Sequence, residues 1–271
     1  MQTLKYWFLF LVPWRYRFLI WQFARKDVVV RYRGSWLGWG WTIVTPLAML
    51  AIYTLVFQYV FKARWPSSKE STDFDFALNL YAGLLLFNWA AELLNRAPKL
   101  ILEQPNLVTK VVFPLPVLSW AALVSASFHM AISFGIWLLA ATLAGYTPRW
   151  EWLGLPFALL SLAPWLLAAC WVLSSLGVYL RDLSQLVGLA VSGVMFLTPI
   201  FYPIQALPIW LQSVALLNPL SGPIEALRQV VILSGEMPWG TLAWLTGSGL
   251  VACASGLWLM KRLKNGFSDV L

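Results

Sequence analysis

The sequence predicts an all-α integral membrane protein with six transmembrane helices and both termini in the cytoplasm. Uncharged apolar stretches recur along the chain, and the first covers residues 34–61, roughly 28 residues where about 20 cross a bilayer. Only 11% of the residues are charged, against about 25% in soluble domains. The basic residues lie at the ends of the apolar stretches, as expected for a multi-pass membrane protein.

Residues 1–35 mix aromatic and basic side chains ahead of the first span. This pattern predicts an amphipathic helix that lies along the lipid headgroups on the cytoplasmic side. A simple positively charged flank of the first span is the alternative. The apolar part is short, rich in tryptophan and followed by no small-residue cleavage site, so we expect it to be retained rather than removed as a signal peptide.

The apolar stretches and their breaks divide the single membrane domain, residues 1–271, into spans and loops. The six predicted spans cover residues 36–61, 76–94, 115–143, 153–180, 183–202 and 240–260. Residues 92–114 carry charges of both signs and are predicted to form a cytoplasmic loop. Residues 203–239 are apolar but interrupted by prolines at positions 208, 219, 223 and 238, which predicts an outer re-entrant pair of short helices whose freed backbone groups are covered by protein.

The 19 Lys and Arg residues determine the predicted orientation. Seven precede the first span, three lie in residues 92–110, one is Arg181 and three lie in the C-terminal tail, all on one side. The five on the other side are Lys62, Arg64, Lys69, Arg149 and Arg228. Because cytoplasmic loops carry the excess of basic residues, both termini are predicted to be cytoplasmic.

Several chemistries have no counterpart in the sequence. It contains no GxxxxGK[ST] loop, so the chain does not bind ATP by that device. It contains no metal-ligand spacing, and Cys170 and Cys253 lie inside apolar runs, where free thiols are expected. The single histidine, His129, lies in the third predicted span, where packing and proton relay are both open. The net charge of +8 does not indicate nucleic-acid binding, because no soluble basic face is present.

Four blocks of sequence, in family order, resemble the membrane subunits of ABC exporters that move O-antigen, teichoic acid and capsular polysaccharide. The blocks are RYRGSWLG at 31–38 with Trp41 and Pro46, NLV at 106–108 with KVVFP at 110–114, Arg181-Asp182 with LTPIFYP at 197–203, and LNPL at 217–220 with Arg228.

The resemblance implies a homodimer of six-span subunits in a bacterial inner (plasma) membrane, bound to two separate ATPase subunits. ATP and magnesium would bind those subunits, and this chain would hold no cofactor and no catalytic residue. The cargo would be a lipid-pyrophosphate-linked glycan that passes through a channel between the two copies. Two alternatives stay open: a permease that exports a drug or small lipid, and a membrane enzyme that modifies a glycolipid.

Residues 92–114 are the longest predicted cytoplasmic loop between spans, and we expect a short helix there to dock on the ATPase. A solvated loop is the alternative. The candidate coupling residues are Glu92, Arg96, Lys99, Glu103, Gln104, Pro105 and Asn106.

Basic residues at the predicted cytoplasmic boundary could hold the pyrophosphate headgroup, because arginine offers paired donors to phosphate oxygens. Ordinary topology and contacts with lipid headgroups are the alternative. The candidates are Arg25, Lys26, Arg31, Arg33 and Arg181.

The aromatic residues, 16% of the chain, fit either interfacial belts or a channel wall on which sugars stack. On a continuous helix Trp36 and Trp39 would lie about 60° apart and share one face, whereas Trp41 would not. The candidates for the channel wall are Trp36, Trp39, Phe196, Phe201 and Tyr202.

The predicted re-entrant stretch contains an acid–base pair, Glu225 and Arg228, spaced three residues apart on a helix. We expect this pair, with Asn218 and Pro219, to form an outer gate. A structural cap on the dimer is the alternative.

Overall fold

The computed structural model describes residues 13–56, 75–109 and 113–270. These residues form helices and turns, with no strand among them. The α-helices in chain order are α1 (Arg17–Tyr32), α2 (Trp41–Thr54), α3 (Asp75–Arg96), α4 (Pro105–Thr109), α5 (Pro116–Leu143), α6 (Leu155–Leu160), α7 (Ala163–Tyr179), α8 (Leu183–Leu197), α9 (Ile209–Leu217), α10 (Ser221–Leu227) and α11 (Trp239–Leu263).

Four helical segments are long and apolar enough to cross a membrane. They are Asp75–Lys99, Pro116–Leu143, Trp150–Tyr179 and Trp239–Phe267, and they coincide with the predicted second, third, fourth and sixth spans. The predicted fifth span is represented by the shorter apolar helix α8. This helix ends at Leu197 rather than at residue 202, because Thr198 is extended ahead of Pro199, as residues before proline usually are.

The helix of the first predicted span begins at Trp41, five residues after the predicted start of that span at Trp36. Gly34 and Gly38 have positive φ angles of 82° and 51°, a conformation that glycine adopts without strain, and the chain turns here instead of continuing as a helix. A tight turn, Gly38–Gly40, precedes α2, which begins at Trp41. Residues 57–61 of this predicted span lie outside the described residues, as do residues 1–12 of the N-terminal segment and 110–112 of the predicted loop.

Helix α3 is the centre of the bundle. Its buried residues occupy every side of the helix, as expected for a helix that other helices surround, and it packs against α2, α5, α7 and α8. On the far side of α7, helix α11 lies close enough that a Cβ atom on Gly256 would meet the Ala168 carbonyl oxygen at 2.9 Å. Small residues permit this close helix approach in membranes.

The two ends of the bundle can be told apart by the segments that meet there. At one end, which we call the tail end, α4 contacts the C-terminal turn Lys264–Asp269, and the Tyr179 hydroxyl donates to the Leu263 carbonyl at 2.8 Å. At the other end, which we call the Asp75 end, the Tyr146 hydroxyl donates to Asp75 Oδ1 at 2.5 Å. The tail end carries α1 and most of the basic candidates.

The stretch predicted to be re-entrant contains two short helices at the Asp75 end. Helix α9 has nine residues and α10 has seven, and each is too short to cross a bilayer. A π-helical turn, Arg228–Ile232, continues α10. This turn carries Arg228 towards α3.

Candidate functional site

Two parallel ion pairs join α1 to the last turn of α3 at the tail end. Arg31 pairs with Glu92, and Arg96 Nη2 lies 2.7 Å from Asp27 Oδ2. On each helix an acidic residue precedes a basic residue by four positions, so each acid faces a base when the two helices lie antiparallel. Helix α1 is thereby held to the central helix as well as to α5, on which it packs.

His129 and Tyr32 complete this cluster. His129 Nδ1 lies 3.3 Å from Arg31 Nη1 and 3.8 Å from Glu92 Oε1, and the Tyr32 ring centroid is 5.7 Å from the imidazole. Burial raises the pKa of the Tyr32 hydroxyl above its usual value, so this phenol is neutral at physiological pH. The buried His129 Nε2 has no hydrogen-bond partner among the described residues.

The predicted loop at residues 92–114 overlaps the predicted second span at residues 76–94, and the structure places both Glu92 and Arg96 in helix α3. Helix α3 ends at Arg96, and both charges near its end are paired with residues of α1, Glu92 with Arg31 and Arg96 with Asp27. The connection between the second and third predicted spans therefore begins only after Arg96.

That connection is short and firmly seated. The turn Ala97–Lys99 lies against α7, where a Cβ atom on Gly177 would be 2.1 Å from the Pro98 carbonyl oxygen. Helix α4 follows, with Pro105 and Asn106 exposed and Gln104 half-buried just before it. Lys99 and Glu103 are also exposed, which leaves their charges available to a partner.

The five basic candidates for a headgroup site are only partly brought together. Arg25 and Lys26 are exposed on α1, and Arg33 is exposed immediately after it. Arg31 is engaged by Glu92. Arg181 lies on a separate turn between α7 and α8.

The aromatic candidates form two different arrangements. The prediction that Trp36 and Trp39 share a helix face was wrong, since the helix starts after both; Trp36 is 95% exposed, whereas Trp39 packs 5.8 Å from the Tyr32 ring. Phe196 and Phe201 stack with centroids 6.3 Å apart. The Tyr202 hydroxyl donates to the Phe196 carbonyl at 2.5 Å, so the three residues at the end of α8 form one cluster.

Arg228 is an anchor at the Asp75 end, with only 2% of its surface exposed. Its Nη1 donates to the Pro199 carbonyl at 2.6 Å and its Nη2 to the Ile200 carbonyl at 2.8 Å. Both Nε and Nη2 donate to the Asn79 carbonyl. Burial lowers the pKa of Arg228 to about 10, so the guanidinium is charged at neutral pH and compensates carbonyls freed by the break after α8.

The other gate candidates lie around the same junction. Glu225 Oε1 accepts from Arg228 Nη1 at 3.1 Å, as the three-residue spacing suggested. Asn218 Nδ2 donates to Thr198 Oγ1 at 2.8 Å, and Asn218 Oδ1 accepts from the Leu220 amide at 3.0 Å. Residues 218–220, which include Pro219, therefore connect the ends of α8, α9 and α10.

Sequence reasoning missed the partners of these residues. Asp27 was not singled out, although its spacing from Arg31 mirrors that of Glu92 and Arg96 and could have indicated the double ion pair. Asn79 contributes to the Arg228 anchor through its backbone carbonyl, for which no side-chain signal exists. Asp75 and Tyr146 meet across 71 positions of sequence, and no local pattern indicates that contact.

Comparison with known proteins gives consistent matches over most of the chain. The pattern of ABC-2 type transporters matches residues 18–232. An O-antigen export system permease protein RfbA of Klebsiella pneumoniae is 24% identical over 249 residues, which cover 92% of this chain and 93% of the relative. A protein of the same name from Myxococcus xanthus is 27% identical over 194 residues, 72% of each chain.

Proposed function

Because the chain belongs to the ABC-2 type transporter family, we propose that it is the membrane subunit of an ATP-driven polysaccharide exporter. Its cargo is a lipid-pyrophosphate-linked glycan such as O-antigen, capsule or teichoic acid, moved from the cytoplasm across the bacterial inner (plasma) membrane. The observation that carries this proposal is the match to O-antigen export permeases over 92% of the chain.

We propose six spans with both termini in the cytoplasm. The four long apolar helices, together with α2 and α8, provide the six segments. In this topology the tail end is cytoplasmic and the Asp75 end faces outward. The distribution of basic residues supports the orientation, because Arg25, Lys26, Arg33 and Arg181 lie among the tail-end elements, and α9 and α10 then dip into the outer leaflet.

A second copy of the chain forms the other wall of the channel. Helices α2 and α8 both lie beside α3 and both expose large apolar side chains. Those on α2 include Ile43, Leu47 and Ile52, and those on α8 include Leu186 and Leu189. Apolar faces that flank the central helix suit a dimer contact together with surrounding lipid.

Two ATPase subunits, which hold ATP and magnesium, dock at the tail end. Lys99, Glu103 and Asn106 are exposed on the segment between α3 and α5, and α7 supports this segment from behind at Gly177. A displacement of this segment would reach α3 directly, because the turn Ala97–Lys99 continues that helix.

The basic residues of α1 and its C-terminal end receive the pyrophosphate headgroup. Arg25, Lys26 and Arg33 are exposed and form no ion pair with another described residue, which leaves them free to contact an anion. Arg31 has a different role, because its ion pair with Glu92 holds α1 against α3. Arginine binds phosphate oxygens in paired geometry, which suits a diphosphate.

Deletion of the gene in the source bacterium tests the exporter assignment. We expect surface polysaccharide to disappear and lipid-pyrophosphate-linked glycan to accumulate inside the cell, as measured by glycan staining of surface extracts and mass spectrometry of membrane lipids. Expression of the wild-type chain should restore export. Unchanged surface polysaccharide in the deletion strain would overturn the proposal.

Charge reversal tests the ATPase contact separately. Glu103→Lys should reduce co-purification of the ATPase, because the residue is exposed at the tail end. Glu236→Lys is the matched control, since Glu236 is also exposed but lies at the Asp75 end, just before α11. Equal recovery of the ATPase with both variants would remove Glu103 from the interface.

A further inference from the structure

A cavity of about 410 Å³, lined by both apolar and polar side chains, lies between α9, α10 and the beginning of α11 at the Asp75 end. Its size falls in the range of sites that bind small molecules. The residues of its wall that bear on ligand chemistry are Gln205, Gln212, Glu225, Gln229, Thr241 and Trp244. Of these six residues, only Glu225 was singled out from the sequence, as a candidate for the outer gate. None of the six was predicted to bind a ligand.

The cavity wall offers hydrogen-bonding groups that the protein itself does not use. The side-chain amides of Gln205 and Gln229 and the hydroxyl of Thr241 form no hydrogen bond with another residue in the described part of the chain. Gln212 donates through Nε2 to the Leu207 carbonyl at 2.7 Å, which holds the amide in place and leaves Oε1 as an acceptor. The wall thus combines donors and acceptors.

Glu225 and Trp244 add two further properties. The Glu225 carboxylate is held in position by Arg228 at 3.1 Å, so one side of the cavity has a fixed acceptor supported by the buried anchor. Trp244 is 65% exposed and provides an aromatic surface beside the polar groups. Planar amides, a carboxylate and an indole ring together match a sugar ring, whose hydroxyls both donate and accept and whose C–H faces pack on aromatic rings.

The charge of the wall argues against an anionic ligand. The described residues that line the cavity include one carboxylate and no Lys or Arg, and the nearby Arg228 directs its guanidinium to backbone carbonyls and to Glu225. A phosphate would meet the carboxylate without a compensating cation. A neutral polyhydroxylated ligand has no such cost.

We propose that this cavity is a saccharide-binding site that takes one neutral sugar unit at the outer face of the subunit. The source of the sugar, an exported glycan as it leaves the membrane, rests on the proposed function, whereas the binding itself does not. The site lies between α9, α10 and α11, apart from the apolar faces of α2 and α8. It therefore contacts the glycan beyond the channel, where weak and repeated binding would slow backward movement of the chain.

Saturation-transfer difference NMR on the purified chain in lipid nanodiscs tests the site with free D-mannose, D-galactose, D-glucose and N-acetyl-D-glucosamine as probes. Transfer to ring protons of at least one sugar is expected. Trp244→Leu and Thr241→Val should each weaken binding about fivefold, the effect of losing one stacking or hydrogen-bonding contact. Thr241→Val preserves side-chain shape at an exposed position, so it should fold normally.

Trp210→Leu is the matched control. Trp210 lies on α9 and is 69% exposed, close to the value for Trp244, but it does not line the cavity. Wild-type saturation transfer with Trp210→Leu, and loss with both cavity variants, supports the site. Absence of transfer for all four sugars, or equal transfer in all three variants, overturns it.

This measurement needs neither the ATPase nor a lipid-linked substrate. Failure of sugar binding would therefore overturn the saccharide site and leave the exporter assignment to the deletion experiment. Unchanged surface polysaccharide in the deletion strain would overturn the exporter assignment and leave the NMR result as the measure of the cavity.

Discussion

Asp27 on α1 and Arg96 on α3 are joined by an ion pair of 2.7 Å, although 69 positions separate them in the sequence. One helical turn away, Arg31 and Glu92 form the second pair between the same helices. The turn Ala97–Lys99 begins immediately after Arg96. Helix α1, which carries Arg25, Lys26 and Arg31 of the basic candidates, is thus tied to the residue from which the proposed ATPase-coupling segment starts.

The Asp27–Arg96 pair predicts that charge exchange will be tolerated better than single changes. Asp27→Arg and Arg96→Asp each place like charges opposite one another, whereas the double variant restores attraction in reverse. Both side chains are 31% exposed, so solvent screens the pair and the coupling energy should be about 0.2–1 kcal/mol. The wild type, the two single variants and the double variant form a double-mutant cycle. The thermal midpoints of these four purified proteins in detergent measure the coupling.

Arg25→Asp is the control for that cycle, because Arg25 lies on the same helix and forms no ion pair with a described residue. It should shift the thermal midpoint less than either single variant of the pair. A double variant no more stable than the sum of the two single effects would contradict the pairing.

Where α7 packs against the turn Ala97–Lys99, only a residue without a Cβ atom fits at position 177. In Gly177→Ala the new Cβ would lie 2.1 Å from the Pro98 carbonyl oxygen, a backbone atom that cannot rotate away. Forcing α7 away from the turn should cost about 1–3 kcal/mol and lower ATPase activity in the assembled complex. Thermal unfolding and ATP hydrolysis of the reconstituted complex measure the two effects.

Gly193→Ala is the matched control for Gly177→Ala. Gly193 also lies in an apolar helix, α8, but an added Cβ would meet no atom within 4 Å. Alanine favours helix more than glycine does, so this variant should be as stable as the wild type or slightly more stable. Similar losses in both variants would mean that the close contact at Pro98 is unimportant.

The uncharged apolar runs and the composition were sufficient to predict the membrane class and the positions of four long helices. The errors lie where single residues decide backbone geometry or where distant segments meet. Gly34 and Gly38 delayed the start of α2 through positive φ angles, which the uncharged run could not indicate. Helix α3 extends beyond the predicted end of the second span at residue 94 to Arg96, which pairs with Asp27, 69 positions away, and such a contact exists only in the folded chain.

The candidate site likewise had one part that the sequence could indicate and another that depends on contacts in the folded chain. Arg228 could be singled out from the sequence as an unusual charge in an apolar stretch, and its pairing with Glu225 followed from helical spacing. Its principal ligands are backbone carbonyls of Asn79, Pro199 and Ile200. Backbone acceptors have no residue type, so the anchoring role could not be predicted.

We expect removal of the Arg228 side chain to destabilise the protein much more than weakening of its ion pair with Glu225. Arg228→Met leaves carbonyls of residues 79, 199 and 200 without their donor in a buried site, and loss of a buried charged partner costs on the order of 3–5 kcal/mol. Glu225→Gln keeps every carbonyl contact and should cost less than about 1 kcal/mol, since Glu225 is half-buried. Expression yield and thermal midpoint by fluorescence-detected gel filtration should separate the two; equal losses would contradict the anchor.

The cluster at the end of α8 predicts a role for aromatic surface in transport rather than in folding. Phe196 is exposed and stacks on Phe201 at 6.3 Å, and an aromatic contact of this kind is worth about 0.5–1.5 kcal/mol. If a sugar stacks on Phe196, then Phe196→Leu should reduce glycan export roughly two- to tenfold while the complex assembles normally. Surface polysaccharide per assembled complex is the quantity to measure.

Trp150→Leu distinguishes a channel wall from an interfacial belt. Trp150 is an exposed aromatic at the Asp75 end, but it precedes α6 and lies in a different part of the chain from the α8 cluster. An interfacial belt anchors each subunit through many aromatics, so either substitution alone would leave export unchanged. Reduced export with Phe196→Leu and normal export with Trp150→Leu would place the α8 cluster on the glycan path, whereas full export with both would assign it to the belt.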